Sequence, residues 1–122
     1  MPTDDEWKQL EIFLGMTQAE ADRAGWRGTD EAGKLKEADT THWDLPNVSA
    51  TNESGFTALP GGFRDPSTGF FADMHRSTHF WSSTERDNSF AWTRSLYSDH
   101  ADIGRYHLHS KQYGFSIRCV QD

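Results

Sequence analysis

Cysteine is almost missing: Cys119 stands alone in 122 residues. A single thiol excludes an intrachain disulfide, and a chain of this length can bury a core without one. The alternation of Phe115, Ile117 and Cys119 reads as a buried core thiol rather than a nucleophile or a metal ligand. Positive charge is scarce too. Twelve Lys and Arg face nineteen Asp and Glu, for a net charge of −7. No basic run offers a grip for nucleic acid or an anionic membrane surface, so neither is expected as a partner. No apolar run approaches the length of a membrane span, so direct membrane insertion is not expected, and no signal-peptide pattern is read. Aliphatic residues are few, whereas aromatics reach 13% with five tryptophans at a mean hydropathy of −0.82. That balance points to a loop-rich α+β domain rather than a helical bundle.

Two helices open the chain. In PTDDEWKQLEIFLG, Thr3 is the expected N-cap and Glu6 completes a capping box, with Asp4 and Asp5 favoured by the positive helix end. Trp7, Leu10, Phe13 and Leu14 are expected to form its buried face, and Gly15 to end it. A shorter helix follows, capped by Thr17 and Glu20 and closed at Gly25. Residues 26–55 lose the helical period and read as one long ordered loop pinned by Trp26, Leu35 and Trp43. Short strands fill the rest: 56–59, 62–65, 69–71, 79–85, 90–97, a weak one near 102–108, and GFSIRCV at 114–120. In the last, Phe115, Ile117 and Cys119 are expected to point inward. Residues 1–122 form one domain, with no repeat and no linker.

The segments GKLKEADTTHW, SATNESGFTALPGGFR, FWSSTE, FAWTRSLY and YGFSIRCV, in that order, resemble the Fibrobacter succinogenes major paralogous domain. The opening MPTDDEW is similar both to that family's entry segment and to one in formylglycine-generating-enzyme-like domains. The resemblance implies a C-type-lectin-like α+β fold: two N-terminal helices, short mixed or antiparallel strands and long ordered loops. It also implies a setting in bacterial surface or secreted proteins. Formylglycine-generating enzymes work through cysteines that this chain lacks, so their activity is not carried over. No G-x-S-x-G context surrounds any serine, and FWSSTE reads as a core strand, so no enzyme is expected.

No cofactor is expected, beyond the option of a structural calcium in the long loop on Asp39, Asp44, Asn47 or Asn52. His75 and His79, four apart, or His107 and His109 on one strand face, have zinc-pair spacing, but solvated or ligand-facing roles suit them better.

Residues 98–110, SDHADIGRYHLHS, hold no Lys, Glu, Gln, Met or Trp. Those types make up 23 of the 122 residues, so roughly two or three are expected in such a window. They are also the types that an Asn codon, AAC or AAT, cannot reach when its adenines are replaced. HRSTH at 75–79 and RDNSFA at 86–91 obey the same restriction. The pattern resembles the variable region of proteins diversified by retroelements through adenine-directed mutagenesis, here spanning about 73–113. An ordinary polar loop under little constraint is the competing reading. The first reading predicts a ligand-binding face made of His75, Arg76, His79, Arg86, Asn88, Tyr97, Asp99, His100, Asp102, Arg105, Tyr106, His107 and His109. Its expected ligand is a protein or a surface glycan. A structural domain of the cell envelope without a specific small ligand is the alternative.

Overall fold

The computed structural model describes residues 1–121. Helix α1 (Asp4–Phe13) begins with the expected capping box: Thr3 Oγ1 accepts the Glu6 N–H and the Glu6 carboxylate accepts the Thr3 N–H. Its buried stripe is Asp4, Trp7, Glu11 and, just beyond, Leu14, at helical spacing. This corrects the expected apolar face, because Phe13 is 84% exposed while Glu11 is fully buried. Charge decides the rotation: the Glu11 carboxylate is needed inside to meet two arginines of the sheet.

Helix α2 (Gln18–Asp22) is capped by Thr17, whose Oγ1 accepts the Glu20 N–H, and its C-cap is Arg23 rather than Gly25. The segment expected to be one long loop holds two more elements, strand β1 (Gly25–Arg27) and helix α3 (Glu31–Leu35). The helix is five residues long, contains Gly33, and its N-cap Asp30 makes no side-chain cap. The Glu31 carboxylate instead accepts the N–H groups of Thr29 and Asp30. Leu35 and Trp43 are buried as expected, and the Trp43 indole donates to the Ala58 carbonyl.

Strands β2 (Phe63–Arg64) and β3 (Phe71–Ala72) form a small antiparallel hairpin. The expected strand at 56–59 shrinks to one bridge between Lys36 and Ala58. Gly62 needs its bare backbone: φ is +66°, and a Cβ there would collide with the Ala72 carbonyl. Strands β4 (Ser77–Glu85), β5 (Ala91–Tyr97) and β6 (Ile103–Tyr106) complete a four-stranded antiparallel sheet in the order β1-β6-β5-β4.

GFSIRCV is not a strand. Only Gly114 and Ser116 make bridges, and Ile117, Cys119 and Val120 are exposed. The outer edge of β4 explains the difference. Ser116 takes its backbone positions at His79 and Trp81, but the Ser83 N–H further on is already held by the Pro2 carbonyl. Past Ser116 the chain has no ladder to join. The Cys119 thiol is therefore a surface group, contrary to expectation.

Strand alternation gives the sheet two different faces. On the helix side, Arg27, Arg94 and Arg105 come from three adjacent strands. Glu11 takes Arg27 through two 2.7 Å hydrogen bonds and also accepts from Arg94 Nε. Asp4 takes Arg94 and Arg105, each at 2.7 Å. Burial pushes the Asp4 carboxyl up, but the Arg105 hydrogen bond and the Arg94 charge outweigh it and bring it down to about 2. Arg105 also donates to the Asp22 carbonyl and stacks 3.7 Å from the Trp92 ring centroid. It is 6% exposed and belongs to the framework, which corrects its expected place on a ligand face. No described helix is long and apolar enough to cross a membrane.

Candidate functional site

The opposite face of the sheet is polar and concave. Trp26, Gly104, Ser95 and His79 lie side by side across all four strands and form the floor of a cleft of about 340 Å³. Gly104 makes room there, since a Cβ would sit 2.7 Å from the Tyr106 ring and 3.2 Å from Ser95 Cβ. The walls are Tyr97 at the end of β5, Asp99 and His100 in the following turn, Tyr106 at the end of β6, and His109. Arg76 closes one end, next to the turn, where its carbonyl accepts the Ser98 N–H.

The two histidines of the interior are held neutral. Burial brings His79 down to about 4, with His109 adding to the effect, and burial also lowers His109. His79 Nδ1 lies 2.8 Å from Ser95 Oγ and its Nε2 lies 3.4 Å from Ser77 Oγ. Among the described residues no carboxylate bonds that imidazole, and Ser95 is itself buried, so the pair reads as a satisfied floor contact. His109 Nδ1 lies 3.2 Å from Thr93 Oγ1. Burial raises the Tyr97 and Tyr106 phenols, helped by Asp73 at the first and Asp102 at the second, so both are neutral donors and acceptors. Neither phenol hydrogen-bonds within the chain among the described residues.

The rings support one another. His100 stacks on Trp26 at 3.9 Å with 13° between planes, and Tyr97 and Tyr106 meet Trp26 edge-on. Asp102 stands behind His100, with Oδ1 3.0 Å from its Nδ1, and fixes the imidazole against the indole. Lys36 anchors the rim from below: its buried ammonium donates to the carbonyls of Val48, Tyr97 and His100 at 3.0 Å each. Burial lowers this lysine to about 8, with Asp99 pulling it back up.

Seven of the residues predicted from the sequence therefore meet in one cleft: Arg76, His79, Tyr97, Asp99, His100, Tyr106 and His109. Asp102 supports them from behind. The others lie elsewhere. His75 sits beside Met74 and Leu59, with Nδ1 2.7 Å from the His42 carbonyl. Arg86 and His107 meet at 3.2 Å on the helix side, where His107 packs on Trp92 and Arg86 covers Phe90. Asn88 is exposed in the β4–β5 turn. His107 and His109 do not share a face, because β6 ends at Tyr106 and the chain turns before His109. His75 and His79 are not on a helix.

Trp26 and Ser95 are site residues that the candidate set missed. Ser95 alternates with Thr93 and Tyr97 along β5, which puts it on the cleft face. Nothing local marked Trp26, which reaches the cleft through pairing with β6. Among the described residues, no group of three or more His, Cys, Asp or Glu is arranged to hold a metal. Of the loop positions considered for calcium, Asn47 donates to the Glu37 and Asp39 carbonyls, and Asn52 uses both ends of its amide on Thr57.

These features define a small mixed α+β domain of antiparallel sheets and few helices, with an aromatic-walled polar cleft on the open sheet face. The chain belongs to the Fibrobacter succinogenes major domain family, which it matches over residues 1–121. Comparisons with curated proteins and with solved structures gave no match.

Proposed function

We propose that this domain is a ligand-binding module on a C-type-lectin-like scaffold, displayed outside the cell, whose cleft is diversified by a retroelement. The observation that carries the reading is convergence: six residues of the codon-restricted windows, Arg76, His79, Asp99, His100, Tyr106 and His109, line one cleft. Tyr, His, Arg and Asp supply planar contact area and adaptable hydrogen bonds, as binding surfaces require. An envelope-assembly domain without a specific ligand would have no need of an arginine, an aspartate and two free phenols gathered around one hollow.

The burial pattern sharpens the genetic prediction. Within 97–110, Ser98, Ile103 and Arg105 are buried framework. Tyr97, Asp99, His100, Tyr106 and His109 face the cleft. Sequencing the gene and its flanks is the test. The expected result is a nearby template repeat and reverse transcriptase, with mismatches only at template adenines and concentrated at the cleft codons. A locus with neither would remove the diversification reading, and mismatches concentrated at the Ile103 and Arg105 codons would contradict the assignment of faces.

A further inference from the structure

We infer that the cleft takes an uncharged saccharide, bound as a single pyranose unit; this rests on the binding-module reading above. Charge selects first. The lining carries one cation, Arg76, and one anion, Asp99, and the imidazoles of His79 and His109 are kept neutral by burial. Neither Arg76 nor Asp99 has a salt bridge to an oppositely charged Arg, Lys, Asp or Glu among the described residues. A ligand with net charge would leave one of them repelled and meet a floor that offers no counter-ion.

Polarity at depth selects next. An apolar protein side chain filling the hollow would cover the Tyr97 and Tyr106 phenols, which have no hydrogen-bond partner among the described residues, at a cost for each one left unpaired. A pyranose suits both surfaces. Its hydroxyl rim offers donors and acceptors to the phenols, to His109 and to the Asp99 carboxylate. Its axial C–H face suits the negative ring faces of the cleft's aromatic side chains. The guanidinium of Arg76 and the carboxylate of Asp99 can each engage two vicinal hydroxyls in the same way. A volume of about 340 Å³ sits at the lower end for small-molecule sites, which fits one sugar unit rather than an extended chain.

The test titrates the full chain with methyl glucoside, methyl galactoside, methyl mannoside and N-acetylglucosamine, and in parallel with glycine, lysine and glutamate. Tryptophan fluorescence and saturation-transfer NMR are the readouts. At least one sugar is expected to saturate, with binding weakened about tenfold in Asp99→Ala and in Trp26→Ala. Arg86→Ala, on the other face, is expected to leave binding unchanged. Should Trp26→Ala fail to fold, Asp99→Ala, exposed at the rim, carries the test alone. Saturation by an amino acid, lost in Asp99→Ala, would overturn the saccharide and keep the binding site. No cleft-dependent response to any sugar would overturn the saccharide, while the gene-locus test above decides the diversified binding-module reading separately.

Discussion

On the helix side of the sheet, three arginines from β1, β5 and β6 close onto two carboxylates of α1, and the cluster is sealed beneath Trp92 and Trp7. On the cleft side, the Arg76 guanidinium and the Tyr97 and Tyr106 phenols have no side-chain partner among the described residues, and Asp99 meets only His100, at 3.9 Å. The same strands build both. Arg105 and Tyr106 are neighbours in sequence, yet one is locked and the other is free. The difference shows that chemical variety in a segment is not the same as freedom to vary. Within β6 a period of two separates Ile103 and Arg105, which hold the domain together, from Gly104 and Tyr106, which face the cleft side.

Breaking the locked side should cost most. Glu11→Ala strands Arg27 without a carboxylate in a buried site and leaves Arg94 with Asp4 alone, and a loss of about 3–5 kcal/mol is expected in urea unfolding. A value below about 1 kcal/mol would mean that water reaches the cluster.

Acid should come next, and it probes the floor of the cleft. The folded His79 value, about 4, lies below the ordinary 6.5. The unfolded chain therefore takes up the proton first, so stability is complete above about pH 6.5 and falls as pH drops toward 4. The His79 contribution to that fall is about 3 kcal/mol. The gap in unfolding midpoint between the wild type and His79→Asn should narrow over this range; a constant gap would refute a neutral, buried His79. Asp4 adds a second loss at lower pH. Its folded value near 2 lies below the ordinary 3.8, so its support is lost as pH falls from about 4 to about 2.

Lys36→Met is expected to cost about 2 kcal/mol by leaving three carbonyls without a donor. It should also raise amide exchange in residues 97–100, since two of those carbonyls frame the cleft rim. The smallest effect belongs to the rim itself. Asp99→Ala and Arg76→Ala should each change stability by less than about 0.5 kcal/mol.

Local chemistry made part of this molecule legible. Capping residues located α1 and α2, and short strand-forming runs located β4 and β5. Three features depended on partners distant in sequence. Glu11 faces inward because of Arg27 and Arg94, which its own helix does not reveal. Residues 117–120 alternate like a strand but find the β4 edge partly occupied by Pro2. Trp26 enters the cleft through β6, 76 or more residues along the chain. The cleft residues between 97 and 109 were visible because their composition departs from that of the whole chain. Arg105 was misassigned within that run because composition does not distinguish an inward side chain from an outward one.

The division between the two faces can be tested directly with two libraries in the full chain, read by protease resistance of displayed protein. One randomises Arg76, Tyr97, Asp99, His100, Tyr106 and His109; the other randomises Arg27, Arg94, Ile103 and Arg105. Most members of the first library should stay folded and most of the second should be cleaved. Equal survival of the two, or a collapse of the first, would contradict the account.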